Sequence, residues 1–381
     1  MYQTFVSLSK AHKNAQTTDF CYLRLIMIGI HTLVLVLVLL LATPAIIQAL
    51  ICPSTAATDT ITIAGSTTVQ PIAAAWGAAY GAQCGTMVNV QGGGSSSGAQ
   101  RVCGVTTAGT AVDIGAMSRA WKSTEATVIV GGFKYQCVIG TPTKVVQIDV
   151  AIDGLVVILK KGSLPATCIT ALGGLTFAQL RWIFSSYTAA QLKSTGWPTS
   201  ALANSDSNDK THLYSEISAS CPKTEMRLAG PSSVLDSYTY FLETILTDYV
   251  GPETFATTTR PAGAGYIGTT SDTATINTVK NDPTGATIGF VSFNAYNSVP
   301  TTVKAVSLKK SGGYVAPTLA TIASGTYPLS RRIFMNVLAS TVAKTKTFIE
   351  YGMSNLGTAD VITSGFIAIP VASRATMNAR L

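Results

Sequence analysis

Three stretches of this chain are built from residues that hold an anion without carrying full positive charge. The first is Ala64-Gly65-Ser66-Thr67-Thr68-Val69-Gln70-Pro71, set between a β-type run (Ile61-Thr62-Ile63) and an apolar, helix-compatible stretch, Ile72 to Tyr80. A strand, a glycine and hydroxyl turn and a helix start leave backbone N–H groups pointing outward, with the positive end of the helix dipole behind them. The second, Gln91-Gly92-Gly93-Gly94-Ser95-Ser96-Ser97-Gly98-Ala99, follows a strand candidate (Met87 to Val90) and leads into another helix candidate. The third, Val112-Asp113-Ile114-Gly115-Ala116-Met117-Ser118-Arg119, reads as a buried strand that carries one acid and ends in a serine and an arginine. One glycine-rich loop is a weak signal; three at strand ends are a strong one.

The elements that must position these loops follow from the same reading. Residues 58–150 read as repeated strand–helix units, the signature of a parallel sheet. Asp149 to Lys160 is one long β-type run. Leu175 to Phe184 is an amphipathic helix that Thr176 can cap, with Leu180, Ile183 and Phe184 on one face, and a polar loop, Pro198 to Lys210, follows. Arg227 to Glu243 runs from a Gly230-Pro231 turn into an aromatic helix, and Thr275 to Lys280 and Gly285 to Phe293 add a helix and a strand.

In order and spacing, Gly-Ser-Thr-Thr-Val-x-Pro, Gly-Gly-Gly-Ser-Ser-Ser-Gly and Asp-Ile-Gly-Ala-x-Ser-Arg resemble the phosphate-binding proteins (PstS type) of the bacterial phosphate transporter, which are two-lobed type II periplasmic binding proteins. The likeness extends over residues 58–371, through Ala-x-Asp-Gly-Leu-Val-Val at 151–157, Leu-Thr-x-x-Gln-Leu-x-x-Ile-Phe at 175–184, Tyr327-Pro328-Leu329-Ser330-Arg331-Arg332 and Phe348 to Pro370. It implies an α/β fold with mixed sheets flanked by helices and a two-strand hinge. Lobe 1 would begin with 58–150, lobe 2 would take 151–288, and 289–381 would return to lobe 1 with the C-terminal helices. It also implies an exported, monomeric solute-binding protein without a cofactor; three isolated histidines and the lack of any Cys-x-x-Cys pair argue against a metal site. Such a protein would capture hydrogen phosphate between its lobes and deliver it to a membrane phosphate permease.

Carried over residue by residue, the first-lobe ligands fall on Thr67 (hydroxyl and N–H), Thr68 (N–H), Ser95 (hydroxyl and N–H) and Asp113, with Ser66, Ser96, Ser118 and Arg119 beside them. An acid in such a site can only accept a proton that the ligand bears, so it would select hydrogen phosphate and repel sulfate. Arg119 would pair with Asp113 or face the cleft. In the second lobe the family's Ser-Gly-Thr falls on Leu235-Asp236-Ser237, leaving Ser232, Ser233 and Ser237 as hydroxyl ligands and Arg227 as a cation from upstream. Asp236 can cap its own helix and repel a bound anion. The alternatives that this departure opens are a degenerate relative with a non-transport, cell-surface interaction role, or a binder of another oxyanion or a phosphate ester.

Composition sets the outer bounds. Of 381 residues, 47% are hydrophobic, enough for two lobes, and 12% are charged, with a net charge of +8. Lysines and arginines are scattered without a basic run, which argues against nucleic acid. Leu25 to Leu41 is apolar, preceded by Lys10, Lys13 and Arg24 and followed by Ala42-Thr43-Pro44-Ala45; residues 1–50 thus read as a cleaved signal peptide or a retained anchor formed by residues 25–50. Ile51 is not the small residue that a lipid-modified Cys52 would require. Six cysteines lie beyond the leader, which suits disulfides in an exported chain, with 15 pairings open; Cys84–Cys103 and Cys168–Cys221 are the expectations from lobe membership. Catalysis is disfavoured: His12, His31 and His212 are isolated, and Gly94-Ser95-Ser96-Ser97-Gly98 is one residue too long for a nucleophile elbow.

Overall fold

The computed structural model describes Cys52 and residues 60–185, 212–233, 235–246 and 265–381, except for the side chains of Val130, Asp236 and Leu246. The leader and the Pro198 to Lys210 loop lie outside the described residues.

Strands β1 (Ile61–Gly65), β2 (Val88–Gln91) and β3 (Ile114–Met117) lie parallel, connected through helices α1 (Gln70–Cys84) and α2 (Gly94–Val102). Helix α1 runs because alanines, the best helix formers, fill it between Pro71 at its first turn and Gly85, which closes it with φ 71°. Its Trp76 donates to the Gly357 carbonyl at 2.8 Å and meets Phe348 edge-on, which ties the amino-terminal lobe to the carboxy-terminal helices. A hairpin of β4 (Ala126–Val130) and β5 (Lys134–Cys137) leads into β6 (Lys144–Lys160).

Strand β6 has 17 residues, all buried but its ends. At the usual rise per residue it spans roughly 55 Å, enough to serve two sheets in turn. Its first part pairs antiparallel with β13 (Ser330–Leu338), from Val145↔Leu338 to Gly154↔Ser330. From Leu155 to Leu159 it pairs instead with β10 (Thr287–Ser292). The second half-sheet holds β8 (Arg227–Pro231), β9 (Tyr266–Thr269) and β10, all parallel to one another; β11 (Val303–Ala305) pairs with the end of β6, and β7 (Leu175–Thr176) pairs with β12 (Leu308–Lys309). The whole path runs β2-β1-β3-β13-β6-β10-β8-β9. Helix α3 (Leu164–Ala171), the Thr176/Gln179-capped helix α4 (Phe177–Phe184), α5 (Tyr214–Ile217), α6 (Asp236–Phe241), α7 (Asp272–Asn281) and α8 (Phe293–Ser298) belong to this second lobe. Its core stacks Phe241 on Phe290, with Phe184 edge-on to both.

The chain's return differs from the expected position. Strand β10 stays in the second half-sheet, and the crossing back comes at Leu329–Ser330, where Leu155 N–H donates to the Leu329 carbonyl at 2.9 Å. The apolar run Ile288 to Val291 is equally at home in either sheet, so its sequence could not fix the lobe. After β13, helices α9 (Val342–Met353), α10 (Asn355–Thr363) and α11 (Val371–Asn378) complete lobe 1.

Among the described residues three disulfides are present: Cys52–Cys84, Cys103–Cys137 and Cys168–Cys221. The second-lobe expectation matches. In lobe 1 the expected Cys84–Cys103 pair is replaced, because Cys103 follows α2 with its Cα 5.7 Å from that of Cys137 on β5, and Cys84 ends α1 beside Cys52.

One acid locks the second lobe. Asp282, after α7, accepts from the amide and hydroxyl of Thr287 at 2.8 and 2.6 Å and from those of Thr284 at 3.0 and 2.7 Å. Burial alone would raise its pKa, but these four donors outweigh burial and hold it at about 2. Because the folded value lies below the unfolded one, this stabilisation is present above about pH 4 and lost as pH falls through about 2. Urea unfolding between pH 7 and pH 2 is expected to show about 2 kcal/mol of acid-labile stability that Asp282→Asn removes.

Candidate functional site

In each half-sheet the parallel strands end on the same side, and their carboxyl ends are where loops can converge. Strand β1 ends in Gly65 and the Ser66 to Val69 turn, β2 in the Gly92 to Gly94 loop, and β3 in Ser118. Across the cleft, β8 ends before Ser232, β9 before Asp272, and β10 at Ser292. Two cavities open between these sets. The larger, about 450 Å³, is lined by Thr67 and Thr68 from lobe 1, Ser237, Asp272 and Ser292 from lobe 2, and Asp153. The smaller, about 260 Å³, is lined by Ser95, Ser96, Ser118 and Arg119 on one side and Thr239, Tyr240 and Glu243 on the other.

Arg331 lines both. It opens β13, directly opposite Asp153 in the β6 register, and its Nε and Nη2 lie 3.0 and 2.9 Å from Asp153 Oδ2. Nη1 donates to the Ser118 carbonyl at 3.3 Å and Nη2 to Thr68 Oγ1 at 3.4 Å. The guanidinium carbon sits 4.1 Å from the ring centroid of Tyr240, a cation–π contact delivered from the opposite lobe. A fixed planar fork amid hydroxyls is the geometry that recognises a tetrahedral oxyanion.

Local structure supports this placement. Gly65 has φ 140°, and a Cβ there would meet the Ala116 carbonyl oxygen at 2.1 Å and the Gly98 Cα at 2.8 Å. Only glycine lets the turn after β1 lie against both β3 and the first turns of α2. Ser66 Oγ takes the Thr68 N–H at 3.2 Å, so this amide is already engaged. Ser95 Oγ accepts the Ser118 N–H at 3.0 Å and lies 3.1 Å from its hydroxyl, joining the second and third loops.

Two acids face the larger cavity. Asp153 is balanced by Arg331. Asp272, the first residue of α7, accepts from the Ser292 amide and hydroxyl and has no cation partner among the described residues. Burial raises its pKa; the Ser292 hydrogen bonds oppose this without cancelling it, and Asp153 adds to it.

Of the sequence-derived candidates, the structure brings Thr67, Thr68, Ser95, Ser96, Ser118, Arg119 and Ser237 to the cleft. Arg119 is not paired with Asp113: it binds Glu125 at 2.7 and 2.8 Å and donates to Ser96 Oγ at 3.0 Å. Ser66 is buried behind the first turn and Ser233 is exposed; neither lines either of these two cavities. Asp113 precedes β3, at the strand's opposite end, where it accepts from the Thr62 amide and hydroxyl and pairs with Lys344 at 2.9 Å. Arg227 opens β8, again at the amino end, exposed and 4.0 Å from Asp282. The Asp236 side chain lies outside the described residues. The sequence reading missed Arg331, Asp153 and Asp272 as site residues; the available signal was an Arg-Arg pair and an Asp-x-x-x-Asp strand, which ion pairs join as Arg331 with Asp153 and Arg332 with Asp149.

Comparison with known proteins agrees with this architecture. The model of the PBP superfamily domain matches residues 53–355. Protein SphX of Synechococcus elongatus is 25% identical over 229 residues, 59% of this chain and 56% of that protein, so the chain spans little more than half the length of this relative. Among solved structures, a possible phosphate binding protein from Planctomyces limnophilus superposes with a TM-score of 0.61 at 22% identity, over 84% of this chain and 97% of that one. An ABC-type phosphate transport receptor from Vibrio cholerae gives 0.56 at 20% identity, over 81% and 99%. PstS from Borrelia burgdorferi gives 0.54 at 18%, over 82% and 99%. At these identities the likeness is one of fold.

Proposed function

We propose that this chain, which belongs to the PBP superfamily, captures inorganic phosphate in the cleft between its lobes and hands it to a membrane phosphate permease. The observation that carries this reading is Arg331, a guanidinium at the junction of two cavities, of which Thr67, Thr68 and Ser237 line one and Ser95 lines the other. The acids support a protonated anion as the ligand. Asp153 and Asp272, when ionised, offer acceptors alone, so hydrogen phosphate can donate to them and sulfate cannot. The selecting role that the sequence reading gave to Asp113 therefore passes to this pair.

Binding here needs no covalent chemistry, and the protein acts as a carrier rather than an enzyme. Rotation about β6 and the adjoining Leu329–Ser330 return would close the lobes on the anion. The chain would work outside the cytoplasmic membrane as a monomer, with the segment at 25–50 removed or kept as a tether; among the described residues no helix is long and apolar enough to cross a membrane. A phosphate ester is the second reading, favoured by a 450 Å³ cavity that exceeds the needs of an inorganic anion.

Calorimetric titration of the chain with phosphate, sulfate and glycerol 3-phosphate tests the choice. Saturable heat with phosphate and none with sulfate is expected. Heat with the ester alone would select the second reading, and silence with all three would leave a non-transport role on the same fold.

A further inference from the structure

We infer that lobe 1 carries a second anion site, away from the cleft, for a small organic anion that presents a carboxylate or a phosphate monoester. The site is a cavity of about 410 Å³ at the β2 edge of the sheet, and it shares no lining residue with either cleft cavity. Its volume falls in the range of small-molecule pockets, roughly 300–1,000 Å³. Thr62 and Asn89 are register partners on β1 and β2, and Gln91 follows on the same face of β2. The loop from Gly109 to Val112 closes the other side.

The feature that asks for a ligand is Arg101. It stands in the last turn of α2, is 9% exposed and lines the cavity. Its Nε donates to the Thr110 carbonyl and its Nη1 to Gln91 Oε1, both at 2.7 Å. Both acceptors are neutral, and no carboxylate lies within ion-pair reach of Arg101 among the described residues. The nearby acid, Asp113, touches the cavity wall through Thr62 but is neutralised by Lys344 at 2.9 Å. A buried guanidinium without a counter-charge is costly, and its unengaged N–H groups form the fork that carboxylates and phosphates fit. Asn89 and the Gln91 amide add neutral donors for the rest of such a ligand. Volume and polarity thus exceed what an inorganic ion would use.

Calorimetric titration of the full chain with succinate and with glycerol 3-phosphate separates the two sources of the charge. Saturable binding of at least one is expected. It should weaken at least tenfold in Arg101→Gln and in Asn89→Asp, the latter placing a like charge in the wall at an exposed position on β2. Phosphate titration of the cleft should be unchanged in both variants, which also reports that they are folded. Absence of saturation with both anions would overturn the inference. So would binding that is the same in the wild type and in Asn89→Asp, since the ligand would then occupy another place.

Discussion

Arg331→Met is expected to weaken phosphate binding by about 100-fold or more, because removing one member of a buried, hydrogen-bonded charge pair costs roughly 2–5 kcal/mol. Two losses combine. The anion loses the cation that lines both cavities, and Asp153, 7% exposed, is left without its cation beside Asp272. The second loss also acts on the protein itself, where an uncompensated buried charge costs about 3–5 kcal/mol of stability. Adding Asp153→Asn to Arg331→Met separates the effects. Urea unfolding should then show most of the stability restored, while calorimetry still shows no binding. Arg331→Lys should retain charge but lose the fork and the stacking on Tyr240, giving an intermediate affinity. Unaltered affinity in Arg331→Met would remove this residue from the site.

Gly65→Ala is expected to cost about 2–5 kcal/mol of stability, a large effect for one methyl group. The φ of 140° is one that side chains rarely adopt, worth about 1–3 kcal/mol of strain, and the new Cβ would stand 2.1 Å from the Ala116 carbonyl oxygen. Relief requires β3 or α2 to move, and both carry site loops, so surviving protein should also bind phosphate less tightly. Thermal unfolding and calorimetry on the same sample check this. Gly85→Ala is the control: it also has positive φ, but its Cβ would meet nothing within 4 Å, so only the backbone term of about 1 kcal/mol applies.

The first-lobe loops were legible because their chemistry is local: glycines, hydroxyls and a following helix are adjacent in sequence. What could not be read was which end of a strand faces the cleft. Asp113 and Arg227 were attractive by type, yet each comes at the start of a parallel strand whose carboxyl end forms the site. Arg331 was overlooked for the converse reason. It too begins a strand, but β13 runs antiparallel to β3, so its amino end lies where the carboxyl end of β3 lies. The charges were visible, and their pairing depends on a register whose partners stand 178 positions apart in sequence. Likewise the disulfide Cys103–Cys137 follows from a hairpin folding back on α2, which no spacing encodes.

The three disulfides have a consequence for how the molecule is assembled during synthesis. Cys52–Cys84 and Cys103–Cys137 lie within lobe 1 and Cys168–Cys221 within lobe 2, so none of these three bridges spans the crossing of β6. The second lobe is contiguous, from Leu155 to Leu329, and can fold as soon as that stretch has emerged. The first cannot, because its central strand β13 and the helices beyond it come last. For that interval the two early bridges fasten residues 52–137 as a half-built sheet whose open side, along β3, waits for β13. Oxidation can therefore shorten the search for that late pairing without tying one lobe to the other.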